Sequence, residues 1–436
     1  MEEQKLNFFQ HILSKITFEQ LYFYTLLLMI SLWIPIPILS SPSIALFGLV
    51  VLYGAITKKL SFQWNWILFN FIVLYLVYVL YCIPSKDLGH AAKDLEHKLS
   101  FVVFPILFSF KPHFNIHRKK LLSAFTIGCT ILGLYFVSQA IYHYAVSGNT
   151  SYFHSSAFAP SHHPSYAAAF FSFSIFFLIN EIIPSKNLKI TSISIAIISF
   201  LTILHLPLES LSGILVLGFI TATMMLRWAW KTFAKWIFAS FLILGLISIQ
   251  AIFWIQPSLK KNISYTASVV THYLESPTKF IRERPNGMSG NQARLVIWTV
   301  SSQIIMDHPF GIGLGNLDKE MQQRLIRLHQ DELVEKNYNP HNQFLQILAE
   351  IGLVGMLSFL FIMFLAIRHA WQRDDKLFLF LIFSLLVNCL VESMLQRQSG
   401  IVFYVQFMCL FASIIQQPKH RKLTQNIDQN LSDSHE

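Results

Sequence analysis

The side chains best suited to chemistry in this 436-residue chain gather in one segment, Asn339-Pro340-His341-Asn342-Gln343-Phe344-Leu345-Gln346-Ile347-Leu348-Ala349-Glu350-Ile351-Gly352. Asn339 is a good N-cap and Pro340 suits a first helical position, so the spacing predicts a helix that starts here with His341 in its first turn. Free N–H groups and the positive end of the helix dipole favour an anion at that place. Asn342, Gln346 and Glu350 recur every four residues and share one face. A polar stripe entering an apolar span is costly, so it must face protein or a wet cavity. Hydrogen-bonded glue between helices is the other reading of the same stripe.

Upstream lie Arg282, Arg284 and Arg294, the last four residues before Trp298 on an expected helix from Gln292 to Met306. Guanidinium groups match phosphate oxygens in pairs, so arginines beside a helix N-terminus form a plausible diphosphate cradle; loop cations meeting anionic headgroups are the alternative. Pro309-Phe310-Gly311-Ile312-Gly313-Leu314-Gly315-Asn316 has GxGxG spacing without a βαβ context, which reads as a turn needing positive φ and not as a nucleotide fingerprint. His154, His162 and His163 share one loop with no carboxylate or cysteine at metal-ligand spacing, so a polar or glycan-contacting rim is expected and no metal. Lys98 is either a snorkelling anchor or a cation facing a cavity. Cys82, Cys129, Cys389 and Cys409 form no CxxC pair and read as buried thiols.

The elements that must position these groups are apolar helices. Hydrophobic residues make up 54% of the chain and charged ones 13%, too few charges to cover a soluble protein of this size. About twelve segments approach the roughly 20 apolar residues that a crossing needs. They run near 21–39, 42–57, 64–83, 99–110, 121–145, 165–183, 189–206, 211–226, 234–255, 344–367, 376–392 and 399–416. With the N-terminus in the cytoplasm, 19 basic residues fall in the inner segments and four in the short outer loops, a positive-inside pattern that puts both termini in the cytoplasm. The net charge of +10 is therefore a topology signal and not a nucleic-acid one.

The expected organisation is an all-α, polytopic transmembrane bundle. Residues 1–20 are an amphipathic cytoplasmic segment, 21–255 about nine spans, 256–343 one large periplasmic loop containing helices, 344–416 three further spans, and 417–436 a disordered cytoplasmic tail. A loop of that length is expected to hold the function.

Three stretches then bear a resemblance. Arg294-Leu-Val-Ile-Trp298, His308-Pro-Phe-Gly-Ile-Gly-Leu-Gly-Asn316 and His341-Asn-Gln-Phe-Leu-Gln-Ile-Leu-Ala-Glu-Ile-Gly-Leu-Val-Gly355, in that order, resemble the O-antigen ligase and polymerase superfamily. Lys98 to Pro105, His163-Pro-Ser-Tyr166 and Glu392 to Gly400 with Arg397 are smaller echoes. The resemblance implies a metal-independent inverting glycosyltransferase in the bacterial inner membrane, without a cofactor. It would move a glycan from undecaprenyl diphosphate to an acceptor hydroxyl at the periplasmic face, the acceptor being lipid A–core for a ligase. A chain polymerase and a protein O-glycosyltransferase share the pattern. His341 would be the catalytic base. Arg294, Arg282 and Arg284 would hold diphosphate, with Lys98, Arg397, Asn342 and His163 as further substrate-binding candidates. One departure stands out: where many members carry Ser-Arg-x-Gly, this chain has Ser210-Leu211-Ser212-Gly213. A glycan-lipid transporter is the alternative from another class, disfavoured by one very long loop and by polar residues gathered at one face.

Overall fold

The computed structural model describes residues 16–185, 187–232, 268–283, 290–336 and 338–413. The expected amphipathic start (apart from residues 16–20), the ninth span, Arg284 and the C-terminal tail lie outside these residues. What is described is mostly helical. Helices α1 (Phe18–Ser31), α2 (Ser40–Ile56), α3 (Trp66–Leu80), α4 (Leu88–Lys98), α5 (Ser100–Ser109) and α6 (Arg118–Ser147) come first. α7 (Pro164–Phe177), α8 (Leu188–Ile203) and α9 (Leu211–Thr232) complete the first bundle segment. Next come α10 (Pro277–Glu283), α11 (Gly290–Asp307), α12 (Leu317–Arg327) and α13 (Asp331–Lys336), and finally α14 (Gln343–Gln372), α15 (Lys376–Val391) and α16 (Gln398–Ser413). A small departure from the all-helical expectation is an antiparallel pair, β1 (Leu60–Phe62) with β2 (Phe110–Pro112), in register Ser61 to Lys111.

Among the described residues, five helical stretches are long and apolar enough to cross a membrane: Pro37–Ile56, Arg118–Ser147, Pro164–Ile182, Leu188–Leu208 and Gln343–Gln372. Shorter apolar helices occupy Trp66–Leu80, Leu211–Met224, Lys376–Val391 and Gln398–Ser413. The first expected span is not continuous. α1 ends at Ser31, ahead of Pro35 and Pro37, because a ring nitrogen cannot donate to the preceding turn. The fourth is the ten-residue α5. Large apolar side chains such as Leu49, Leu76, Ile131 and Leu357 stand exposed on the outside of the bundle, the arrangement expected of lipid-facing helices.

Two cores hold these helices. The larger joins α1–α9 to α14–α16 and is rich in rings, with Phe125, Phe170, Phe173, Phe403 and Phe407 in mutual edge and tilted contact. The smaller joins α10–α13 through Phe280, Ile297, Val300, Met321 and Leu333, and reaches the bundle at Ala349 of α14. The helices of the expected loop therefore form a unit seated on α14.

The two ends of the bundle differ chemically. At one end Arg118 makes a bidentate pair with Asp375, at 2.6 and 2.8 Å, while its guanidinium lies over Phe411. Lys119 meets Glu181 at the same end. The other end gathers the starts of α7, α14 and α16, the end of α15 and the glycine turn.

That turn is built as its spacing predicts. Gly311, Gly313 and Gly315 all have positive φ, between 79° and 93°. They fit against a break in α14, where Gly352 adopts φ 60°, ψ −160°. The break frees the carbonyls of Ala349 and Glu350, and the turn supplies their donors: Ile312 N–H at 2.9 Å and Gly313 N–H at 3.1 Å. Asn316 then ties the turn to the loop after α3, donating to the Pro84 carbonyl and accepting from Lys86 N–H.

Candidate active site

α14 does not start where the spacing predicted. Its N-cap is Asn342, whose Oδ1 accepts from Phe344 and Leu345 N–H, so the helix begins at Gln343 and His341 precedes it. His341 instead occupies a left-handed backbone position, φ 46°. The reason is local: Asn339 Oδ1 accepts from His341 N–H at 2.9 Å, which folds an Asx turn ahead of the cap. Three more contacts fix this loop. Trp298 Nε1 donates to the Pro340 carbonyl at 2.9 Å, Asn342 Nδ2 donates to the Leu390 carbonyl at 3.0 Å, and the Tyr338 ring packs edge-on to the imidazole.

The imidazole meets Glu392. His341 Nδ1 lies 3.1 and 3.2 Å from the two carboxylate oxygens. Glu392 is the C-cap of α15 and is buried, with one oxygen also accepting from Ser393 N–H. Burial alone would raise its pKa. The hydrogen bond and charge of His341, with the charge of His163, outweigh burial and hold the carboxyl below its usual range. A carboxylate on Nδ1 orients the ring and leaves Nε2 to face a substrate. Glu392 was noted in the sequence only as the start of a loop, because 51 residues separate it from His341; an acidic residue at the mouth of the next apolar hairpin is the signal that was there.

His163 stands beside this pair as the N-cap of α7. Burial depresses its pKa; Glu392 opposes this, while Arg397, His341 and Arg294 act with burial. One imidazole thus feels two of the arginines that the sequence nominated, Arg294 and Arg397, which come from different segments of the chain. Arg294 sits one turn before Trp298 on α11, and Arg397 is exposed just ahead of α16. Arg282 is exposed on α10, and among the described residues no contact ties it to His341. Asn342 is occupied in capping and in bridging to α15.

Lys98 is fully buried, so it does not snorkel. It lies over the Tyr78 ring and donates to Gln396 Oε1 at 2.5 Å. Gln396 in turn donates to Glu350 Oε1 at 2.8 Å, and Gln346 to the same oxygen at 2.6 Å. The polar stripe of α14 therefore ends in a buried Lys98–Gln396–Glu350–Gln346 chain next to the His341 loop.

The three loop histidines do three different things. His154 meets Glu209 at 2.8 Å, and His163 faces the site. His162 is buried between the Ile34 carbonyl and Ser399, and burial pushes its pKa down to about 4 against the opposing hydrogen bond to Ile34. No group of three His, Cys, Asp or Glu side chains among the described residues is arranged to hold a metal ion. Cys129, Cys389 and Cys409 are buried and Cys82 half-buried, all as free thiols. Ser210 and Ser212 are buried beside Ser165, two residues after His163, whereas Leu211 points outward and is half exposed.

Residues 194–360 match the family model described as O-antigen ligase. The match runs from α8 to the first half of α14 and so contains Arg294, the glycine turn, His341 and Glu350. It bears out the resemblance drawn from the sequence. Glu392, Arg397, His163 and Lys98 lie beyond it and are joined to it by the contacts above. No curated protein matches the chain significantly. The O-antigen ligase match and the apolar helices together indicate a bacterial multi-pass membrane enzyme of the ligase or polymerase type.

Proposed function

We propose that the protein transfers a glycan from undecaprenyl diphosphate to an acceptor hydroxyl, lipid A–core being the acceptor class, at the periplasmic face of the inner membrane. The observation that carries this reading is the His341–Glu392 pair, with the charges of Arg294 and Arg397 converging on the adjacent His163. His341 Nε2 takes the proton of the acceptor hydroxyl as its oxygen attacks the anomeric carbon. The bond from that carbon to the diphosphate oxygen breaks, and attack from the opposite face inverts the anomeric centre. Glu392 stabilises the imidazolium that forms. The leaving group departs as an anion that needs no protonation; Arg294 and Arg397 stabilise its charge, so the scheme calls on no metal. Arg397 supplies the cation that Leu211 does not.

The test is transfer in vitro with purified protein, a lipid diphosphate donor, and lipid A–core or a second donor molecule as acceptor. Labelled lipid A–core as product supports a ligase, and a lengthened lipid-linked chain a polymerase. Wild-type transfer rates in purified His341→Ala would overturn the assignment of the base.

A further inference from the structure

Beside the His341 loop lies an open cavity of about 110 Å³, lined by His90, Asp94, Asp318, Gln346, Glu350 and Gln396. Asn339 also lines it, and the same side chain accepts from His341 N–H, so the cavity shares a wall with the catalytic loop. At about 30 Å³ per water its volume holds about four waters, and being open it can take the hydroxyl-bearing edge of a sugar ring. Two of the lining side chains carry a buried acceptor without a partner: Glu350 Oε2 and Gln346 Oε1, on residues 2% and 3% exposed. A buried acceptor without a donor is costly, so these side chains gain by turning toward a ligand in the cavity that donates hydrogen bonds.

The charge here is opposite to that of Arg294 and Arg397. The carboxylates of Asp94, Asp318 and Glu350 bear on one another, with Lys98 and His90 as the cations nearby. Burial, reinforced by Asp94 and opposed by His90, lifts the Asp318 carboxyl above its usual range. Such a wall is a poorer place for a diphosphate than the arginines are. The carboxylates and carboxamides present acceptors to neighbouring hydroxyls, which is the surface a sugar ring presents in return.

We propose that this cavity is the acceptor subsite, holding the hydroxyl-bearing ring of the acceptor sugar while the donor diphosphate sits on the Arg294–Arg397 side. The inference rests on the transferase reading, and it makes the His341 loop a partition between an acidic acceptor side and a basic donor side.

Binding of delipidated core oligosaccharide to the purified protein, followed by saturation-transfer NMR in detergent micelles, tests this without turnover. The wild type binds it. The Asp94→Asn/Asp318→Asn pair, isosteric at half-buried positions, raises Kd at least tenfold, and Arg294→Ala leaves Kd within twofold. A variant Kd within twofold of wild type, no wild-type binding, or binding that appears only with added Mg²⁺ and is lost with the carboxylates, would each overturn the sugar assignment. Transfer by the wild type is measured alongside. Absence of turnover with intact, carboxylate-dependent binding would count against the transferase reading and leave the subsite standing.

Discussion

Gly352→Ala adds one methyl group at the break in α14. The backbone there, φ 60° and ψ −160°, is a region essentially reserved for glycine, and an L-residue in it costs about 1–3 kcal/mol. The new Cβ would overlap the backbone of Phe310, which cannot swing aside as a side chain can. Relief means moving the glycine turn, which strains three hydrogen bonds: Ile312 to Ala349, Gly313 to Glu350 and Leu353 to Pro309. At about 0.5–1.5 kcal/mol each, their loss brings the total to roughly 3–7 kcal/mol. That is a large share of the roughly 5–15 kcal/mol typical of a folded protein. Activity should fall as well, since the break orients the half of α14 that carries Glu350 and follows His341. A displacement of about 1 Å at such a site costs about a hundredfold in rate. The assay is thermal stability of the detergent-purified protein, followed by size-exclusion profile, with donor-dependent transfer measured in parallel. Gly218→Ala is the control, because a Cβ at that position in α9 meets nothing within 4 Å. It should match the wild type or gain up to about 1 kcal/mol from helix propensity. If Gly352→Ala proved as stable and as active as Gly218→Ala, the turn would not depend on the break and the reasoning would fail.

Glu392→Gln keeps the shape of the His341 contact but removes its charge, so transfer should fall about 10- to 100-fold, equivalent to roughly 1.4–2.8 kcal/mol of transition-state stabilisation; an unchanged kcat would remove the orienting role. The same group sets an acid limit. Its folded pKa is depressed, so its contribution is present above the unfolded carboxylate value of about 4.3 and is lost as pH falls through the lower folded value. Wild-type stability should therefore drop more steeply than that of Glu392→Gln below about pH 4, as measured by thermal unfolding across pH. His341→Gly should be more stable than His341→Ala by about 1–2 kcal/mol, because glycine accepts φ 46° freely, while both lose about 10²- to 10⁴-fold in transfer. Asp375→Ala should destabilise by about 3–5 kcal/mol, since it leaves Arg118 buried without its bidentate partner; Arg118→Met/Asp375→Leu should recover most of that loss in the same unfolding assay.

How much of this was legible in the sequence depends on whether the signal was local. The glycine turn was readable, because positive φ is demanded residue by residue. So were the apolar helices and the helix carrying Arg294 and Trp298. The start of α14 was misplaced because two good caps, Asn339 and Asn342, stand three residues apart. Local propensity cannot choose between them; the bond from Asn342 to the Leu390 carbonyl on α15 does. The pairing of Glu392 with His341 and the assembly of the acidic cavity were not legible. They are assembled from α4, α12, α14 and the loop before α16, and their meaning lies in pairings between residues tens to hundreds of positions apart.

The conformation of His341 bears on what the loop is for. An L-residue held at φ 46° is strained, and asparagine or glycine would sit there with less cost. Every neighbour nevertheless works to hold that backbone in place. Asn339 closes the Asx turn, the Pro340 carbonyl is taken by Trp298 from α11, and Asn342 is tied to α15. The flanking polar groups are thus used up in structure, and the imidazole is the side chain of the loop left with a ring nitrogen free of protein partners among the described residues. A helical start at Asn339 would have put that ring on the α14 surface, about 100° around the axis from the Asn342–Gln346–Glu350 stripe. The left-handed kink turns it instead toward Glu392. On the transferase reading proposed above, the strain sets the histidine against Glu392, which is where a base that takes the proton of an acceptor hydroxyl has to stand.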